Sequence, residues 1–112
     1  MNTNLPTRRT GDLRKGRASL SNARYFVTCV GHDGHGSFLS SATVAAIHNA
    51  LISLTADLDM LCSTIMPDHI HLLFTLRDRL PLPRIVGKFK AGTRRALPAL
   101  RWQGNFFERR LR

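Results

Sequence analysis

Acidic residues are scarce in this sequence, tyrosine and tryptophan occur once each, and long apolar runs are missing. Each shortage excludes something. Seven Asp and Glu stand against seventeen Lys and Arg in 112 residues, for a formal charge of +10, so a strongly cationic partner would be repelled. The two cysteines, Cys29 and Cys62, lie too far apart for a Cys-x-x-Cys redox or zinc motif and are too few for a disulfide framework. Both read as small buried hydrophobes. The apolar runs fall far short of the roughly 20 residues a spanning helix needs and no strongly amphipathic terminal helix suggests an anionic membrane surface, so no membrane is expected as a partner. Residues 1–24 are basic but hold no apolar stretch, which argues against a secretory signal and makes the cytoplasm the expected compartment.

What the sequence does have is positive charge in blocks. Six basic residues precede Tyr25 and eleven run from Arg77 to Arg112, while the stretch between holds none of them and all five histidines. Fourteen of the seventeen are arginine, whose planar fork pairs with phosphate and stacks on bases. A basic surface clustered in this way points to nucleic acid rather than to a solvated face without a partner.

At 112 residues the chain is one domain by length. Residues 1–24, rich in Thr, Arg, Gly, Ser and Asn, cannot bury enough surface to order themselves and read as a flexible basic arm that settles on a partner. The folded domain is expected over 25–112. Residues 25–30 are β-branched and aromatic and end at Gly31, which predicts a central strand. Ser40 and Ser41 can cap a helix of about four turns, with Val44, Ile47, Leu51, Leu54 and Leu58 on its apolar face and Thr43, His48, Asn49 and Ser53 on the other. Residues 60–66 and 69–76 form a hairpin about Pro67-Asp68. A second helix is expected from about Arg84 to Leu97, where Pro98 ends it, with Ile85, Val86, Phe89 and Leu97 inward. Residues 102–111 make a last strand. The order βαββαβ is ferredoxin-like: an α+β fold with two helices on one face of a four-stranded antiparallel sheet.

Side chains alternate across a strand, so His69 and His71 share one face while Ile70, Leu72, Phe74 and Leu76 take the other. Their Cα atoms are about 7 Å apart, close enough for both imidazoles to reach one divalent ion. On its own a His-x-His pair is more often a polar patch on a half-exposed strand. Arg84, Lys88 and Arg95 fall on one stripe of the second helix and Lys90 and Arg94 on a neighbouring one, a surface suited to DNA if it is more than a solvated face.

The blocks Lys15-Gly16-Arg17, Tyr25-Phe26-Val27-Thr28, Met66-Pro67-Asp68-His69-Ile70-His71-Leu72-Leu73, Trp102-Gln103 and Phe106-Phe107-Glu108-Arg109-Arg110-Leu111-Arg112 together resemble the single-tyrosine HUH transposases, in particular the REP-associated tyrosine transposases. The resemblance implies a ferredoxin-like domain that recognises single-stranded or hairpin DNA and nicks it with a divalent cation, Mg or Mn. It implies that His69 and His71 bind the ion, which polarises the scissile phosphate, and that a tyrosine attacks phosphorus. It also places Lys15 and Arg17 at the foot of a hairpin, and the helix residues Arg84, Lys88, Lys90, Arg94 and Arg95 near bound DNA.

One departure matters. The family's nucleophilic tyrosine follows the last strand, and this sequence stops at Arg112. The expectation is therefore either a fragment or a truncated relative that kept binding and lost cleavage, in both cases with no catalytic residue in this sequence and with weak metal affinity. Tyr25, the only tyrosine, is expected to pack. His32 and His35 read as solvated loop residues, His48 as a surface residue, Asp68 as a turn former beside the pair, and Trp102 as a packing residue. Two functions stay open, a transposase-type domain and a DNA-binding module without chemistry, and a homodimer is compatible with either. An RNA-binding sheet would need exposed aromatics, for which the third strand offers only Phe74.

Overall fold

In the computed structural model, which describes residues 7–9, 20, 22–32 and 37–111, the strands follow the alternation written in the sequence. Strand β2, Arg24–Val30, turns Tyr25, Val27 and Cys29 into the core, and β4, His69–Leu76, does the same with Ile70, Leu72, Phe74 and Leu76. Because the side-chain period of a strand is two, each intervening residue is sent to the opposite face. Strand β3, Leu58–Ile65, pairs with β4, and β5, Phe106–Leu111, pairs with β2. All pairings are antiparallel, and a short strand β1, Thr7–Arg9, adds to the outer edge of β5. The sheet order is β1-β5-β2-β4-β3. Without β1 this is the four-stranded ferredoxin-like sheet, with the first and third core strands in the middle.

The β1 pairing is an addition to the expected arrangement. Residues 1–24 have too little apolar content to fold alone, yet three of them find backbone partners on β5. The remainder of that segment up to residue 19, including Lys15 and Arg17, lies outside the described residues, as does His35.

Helix α1, Ser41–Ile52, starts where Ser40 Oγ accepts the Thr43 N–H at 3.2 Å, a cap worth about 1 kcal/mol. It is three turns long rather than four. Ser53 returns its N–H to Asn49 O and closes the helix, so Leu54 and Leu58 reach the core from a turn and from the first residue of β3. The buried face is also rotated from the expected one. Thr43, Ala46, Ile47 and Ala50 are buried, while Val44 and Leu51 are half-buried. The reason lies in the neighbouring helix. A Cβ on Gly92 would meet Ala50 Cβ at 3.3 Å, so the helices approach through small residues and large ones are excluded from that seam.

Helix α2, Leu82–Ala96, begins two residues before the expected start, because a proline in the first turn gives up no intrahelical bond. Leu82, Ile85, Val86 and Phe89 enter the same core as the strands. Trp102 packs there too, edge-on to Phe38 with centroids 4.9 Å apart, and its Nε1–H donates to Thr93 Oγ1 at 2.8 Å. Tyr25 is buried, and its hydroxyl accepts the Leu20 N–H. Cys29 is buried as expected, but Cys62 is exposed, because β3 is an edge strand with a bulge between Met60 and Cys62. Among the described residues no helix is long and apolar enough to cross a membrane.

Candidate functional site

Both helices cover the same face of the sheet, and the histidine pair lies on the other. The turn before His69 is closed within the hairpin by Met66 N–H, which donates to His69 O at 2.8 Å, and pinned from outside it by Gly31 N–H, which donates to Asp68 O at 2.7 Å. From this fixed start β4 carries His69 and His71 side by side, their Nε2 atoms 3.2 Å apart and their rings nearly perpendicular at 76°. Each ring is held at its other nitrogen. His69 Nδ1 lies 2.7 Å from Asp68 Oδ1, and His71 Nδ1 lies 2.9 Å from Thr28 Oγ1.

These contacts restrict the protons. A carboxylate only accepts, so His69 Nδ1–H donates to Asp68 and leaves a lone pair on Nε2. The Thr28 hydroxyl can donate or accept. If it donates to His71 Nδ1, then His71 Nε2–H donates to His69 Nε2 and the neutral pair is satisfied. If it accepts, both Nε2 lone pairs point at one place. Burial, and then the neighbouring His69, hold the His71 imidazole below its ordinary pKa, which favours the neutral form that a ligand must have.

Two nitrogens that each sit about 2.1 Å from one ion are roughly 3.0–3.4 Å apart at octahedral or tetrahedral angles. The 3.2 Å separation fits, as does the Asp68 carboxylate behind the His69 ring, a usual orienting partner of ligating histidines, while the Thr28 hydroxyl stands in that place behind His71. No cluster of three or more His, Cys, Asp or Glu placed to hold a metal occurs among the described residues, where such a site would draw on the two imidazoles.

Phe26 and Arg109 extend the site across the sheet. The Phe26 ring stacks on His71 with centroids 5.1 Å apart, and the Arg109 guanidinium lies over Phe26 at 5.9 Å. Neither these residues nor Thr28 entered the sequence reading as site candidates. Alternation along β2 already sets Phe26 and Thr28 opposite the core-facing Tyr25 and Val27, but only the pairing Thr28↔His71 and Phe26↔Arg109 brings them beside the histidines.

The basic helix falls elsewhere. Since α2 packs on the core side of the sheet, its side chains are separated from the histidine pair by the sheet itself. Arg84, Arg94 and Arg95 are exposed there. Lys88 instead reaches the fully buried Asp57, with Nζ 2.7 Å from Oδ2, while Arg79 Nε lies 3.2 Å from Oδ1 without an aligned hydrogen bond. Lys90 is not on the outer stripe at all. It is buried, and Nζ donates to the carbonyls of Gln103 at 2.8 Å and Asn105 at 3.2 Å, which ties the loop before β5 to α2. His48 and His32 are exposed, as expected.

Two solved structures have the same architecture. A REP-associated tyrosine transposase bound to a REP hairpin superposes with a TM-score of 0.72 at 17% identity, covering 86% of this chain and 60% of its own length. A protein of Deinococcus radiodurans assigned as a transposase gives 0.69 at 19% identity, covering 88% of this chain and 85% of that one. The chain shares the fold of these transposases. It spans less than two thirds of the length of the hairpin-bound one. No family model and no curated protein matches the sequence.

Proposed function

We propose that this chain is a transposase-type DNA-binding domain that recognises single-stranded or hairpin DNA and presents His69 and His71 to a divalent cation, Mg or Mn, at a phosphate. The observation that carries the reading is the convergence of two oriented imidazoles, 3.2 Å apart, on the sheet face opposite the helices in a fold shared with a hairpin-bound transposase. A net charge of +10 supports a polyanionic partner. Bound there, the cation would supply Lewis-acid polarisation of a phosphoryl oxygen. The chain's own part is to keep His71 neutral, orient both rings through Asp68 and Thr28, and exclude water from one side of the pair with Phe26.

Strand cleavage is a separate matter. The only tyrosine, Tyr25, is buried on the core face with its hydroxyl accepting a backbone N–H, so it does not face the histidines. This favours a second reading, in which the chain as given binds DNA without cutting it. One experiment addresses both. A 5′-labelled REP-type hairpin is incubated with the protein and manganese, followed by anisotropy for binding and denaturing electrophoresis for products. Binding that weakens steeply between low and physiological salt is expected, with no covalent adduct. Absence of binding would refute the DNA reading, and an adduct abolished by Tyr25→Phe would refute the non-cutting one. Manganese binding is read independently by calorimetry on the wild type and on His69→Ala and His71→Ala, each of which should lose it.

A further inference from the structure

We infer that the outer edge of β3 is a self-pairing surface, on which a second copy of this chain docks antiparallel with Ser63 on the two-fold axis. In the sheet order β3 is outermost, and among the described residues it pairs on one side alone, with β4. An edge of this kind invites another strand through its unpaired N–H and C=O groups, and proteins normally guard it with charges, proline, a bulge or a covering segment. From Met60 to Met66 the sequence holds no charged residue and no proline. The one charge on the strand, Asp59, is ion-paired with Arg77. Cys62, Ser63 and Thr64 are exposed, and Leu61 is 52% exposed. The bulge between Met60 and Cys62 disturbs the first half of the strand and leaves residues 62–65 in regular pairing with β4.

The register follows from which backbone groups face outward. Met66 N–H donates to His69 O, so Met66 turns its backbone groups toward β4. Bonded and non-bonded pairs alternate along an antiparallel ladder, which sends the N–H and C=O of Ile65 and Ser63 outward. Directly opposed residues of antiparallel strands share a face of the sheet, so with Ser63 opposite itself Cys62 meets Thr64 of the second copy and Leu61 meets Ile65. Polar then faces polar and apolar faces apolar, and both helix layers lie on one side of the joined sheet. Moving the axis to Thr64 would set Ser63 against Ile65 and lose this match. Charge selects the occupant. Each copy carries +10, so two copies repel wherever basic residues meet, as they would at the other outer strand, which holds Arg8 and Arg9. Neither Lys, Arg nor His occurs from Leu58 to Met66, so this edge offers a phosphate backbone no cation and a like-charged copy little repulsion.

The test is sedimentation equilibrium on the whole chain over a range of concentrations, in low and in high salt, with thermal melts to check folding. Pairing through so few residues buries less than the roughly 1,200 Å² of a standard interface, so a monomer and dimer in concentration-dependent equilibrium are expected. Salt should strengthen the dimer by screening its repulsion, whereas it weakens DNA binding, so this proposal and the DNA reading fail separately. Ser63→Pro removes an outward N–H and none that bonds β4, and should abolish the dimer with folding retained. Leu61→Lys, which adds a guarding charge, should do the same and keeps the test open should the proline variant fail to fold. Register is read by mild oxidation. Cys62→Ser/Ser63→Cys should give a covalent dimer, since opposed residues of a bonded pair stand about 5.5 Å apart, within disulfide range. Cys62→Ser/Thr64→Cys should not, because the diagonal is about 7–8 Å. A chain that stays monomeric under all conditions would overturn the proposal. So would a dimer that survives both edge variants, one that salt dissolves, or cross-linking through position 64 in preference to 63.

Discussion

Replacing Thr28 by valine keeps the β-branched shape and removes only the hydroxyl that holds His71 Nδ1 at 2.9 Å. Two consequences can be sized separately. For folding, one hydrogen bond worth about 1 kcal/mol is lost at a residue that is 8% exposed, and the methyl that takes its place recovers part of this, so the net change should stay within about 1 kcal/mol. For the site, His71 loses the group that sets its ring orientation and that, when it accepts from Nδ1–H, favours the tautomer with a free Nε2. Loss of such an orienting partner typically lowers metal affinity roughly 10- to 100-fold, equivalent to about 1.4–2.8 kcal/mol. The local effect should therefore exceed the global one. Calorimetric titration with manganese, alongside thermal unfolding without metal, reads the two quantities, and Thr28→Ser, which keeps the hydroxyl, should restore binding. If Thr28→Val binds manganese as tightly as wild type, the ring is oriented by something else and the two-state role of the Thr28 hydroxyl is wrong.

Other expectations follow from single contacts. Cys62 should react with a thiol reagent at pH 8 while Cys29 does not until the protein is denatured, because burial, only partly offset by Lys90, pushes the Cys29 thiol up to about 12. A raised folded-state pKa also means that the stability tied to this thiol is intact below its unfolded value near 8.5 and is lost as pH climbs toward 12, which a series of alkaline unfolding curves with Cys29→Ala as control would show. Gly31→Ala should destabilise by about 1–3 kcal/mol, since its Cβ would sit 3.0 Å from the Phe38 ring and 3.2 Å from Asp68 O, and denaturant titration checks this. Lys90→Ala should cost about 1–3 kcal/mol by stranding the Gln103 and Asn105 carbonyls, whereas Arg95→Ala on the exposed side should change stability by less than about 0.5 kcal/mol. Equal melting shifts for these two variants would refute the assignment of Lys90 to the interior.

The period-two pattern of 69–76 was legible because the burial of alternate residues is a local property of any half-covered strand. It placed His69 and His71 together before any tertiary contact was known, and the same reasoning gave the βαββαβ order and the packing roles of Tyr25 and Trp102. Helix detail was less legible. The face of α1 depends on how closely Gly92 lets α2 approach Ala50, a pairing between segments forty residues apart, and Lys90 looks like a surface lysine until the loop carrying Gln103 and Asn105 folds back over it.

What the sequence determines by itself, then, is the charge, the alternation and the order of elements, since composition and side-chain period depend on near neighbours alone. Only the tertiary structure decides which strands lie side by side and which face the helices leave open. That choice sets Thr28, Phe26 and Arg109 beside the histidines and puts the basic helix on the far side of the sheet, because strand register is a long-range match of whole hydrophobic faces and no single segment contains it.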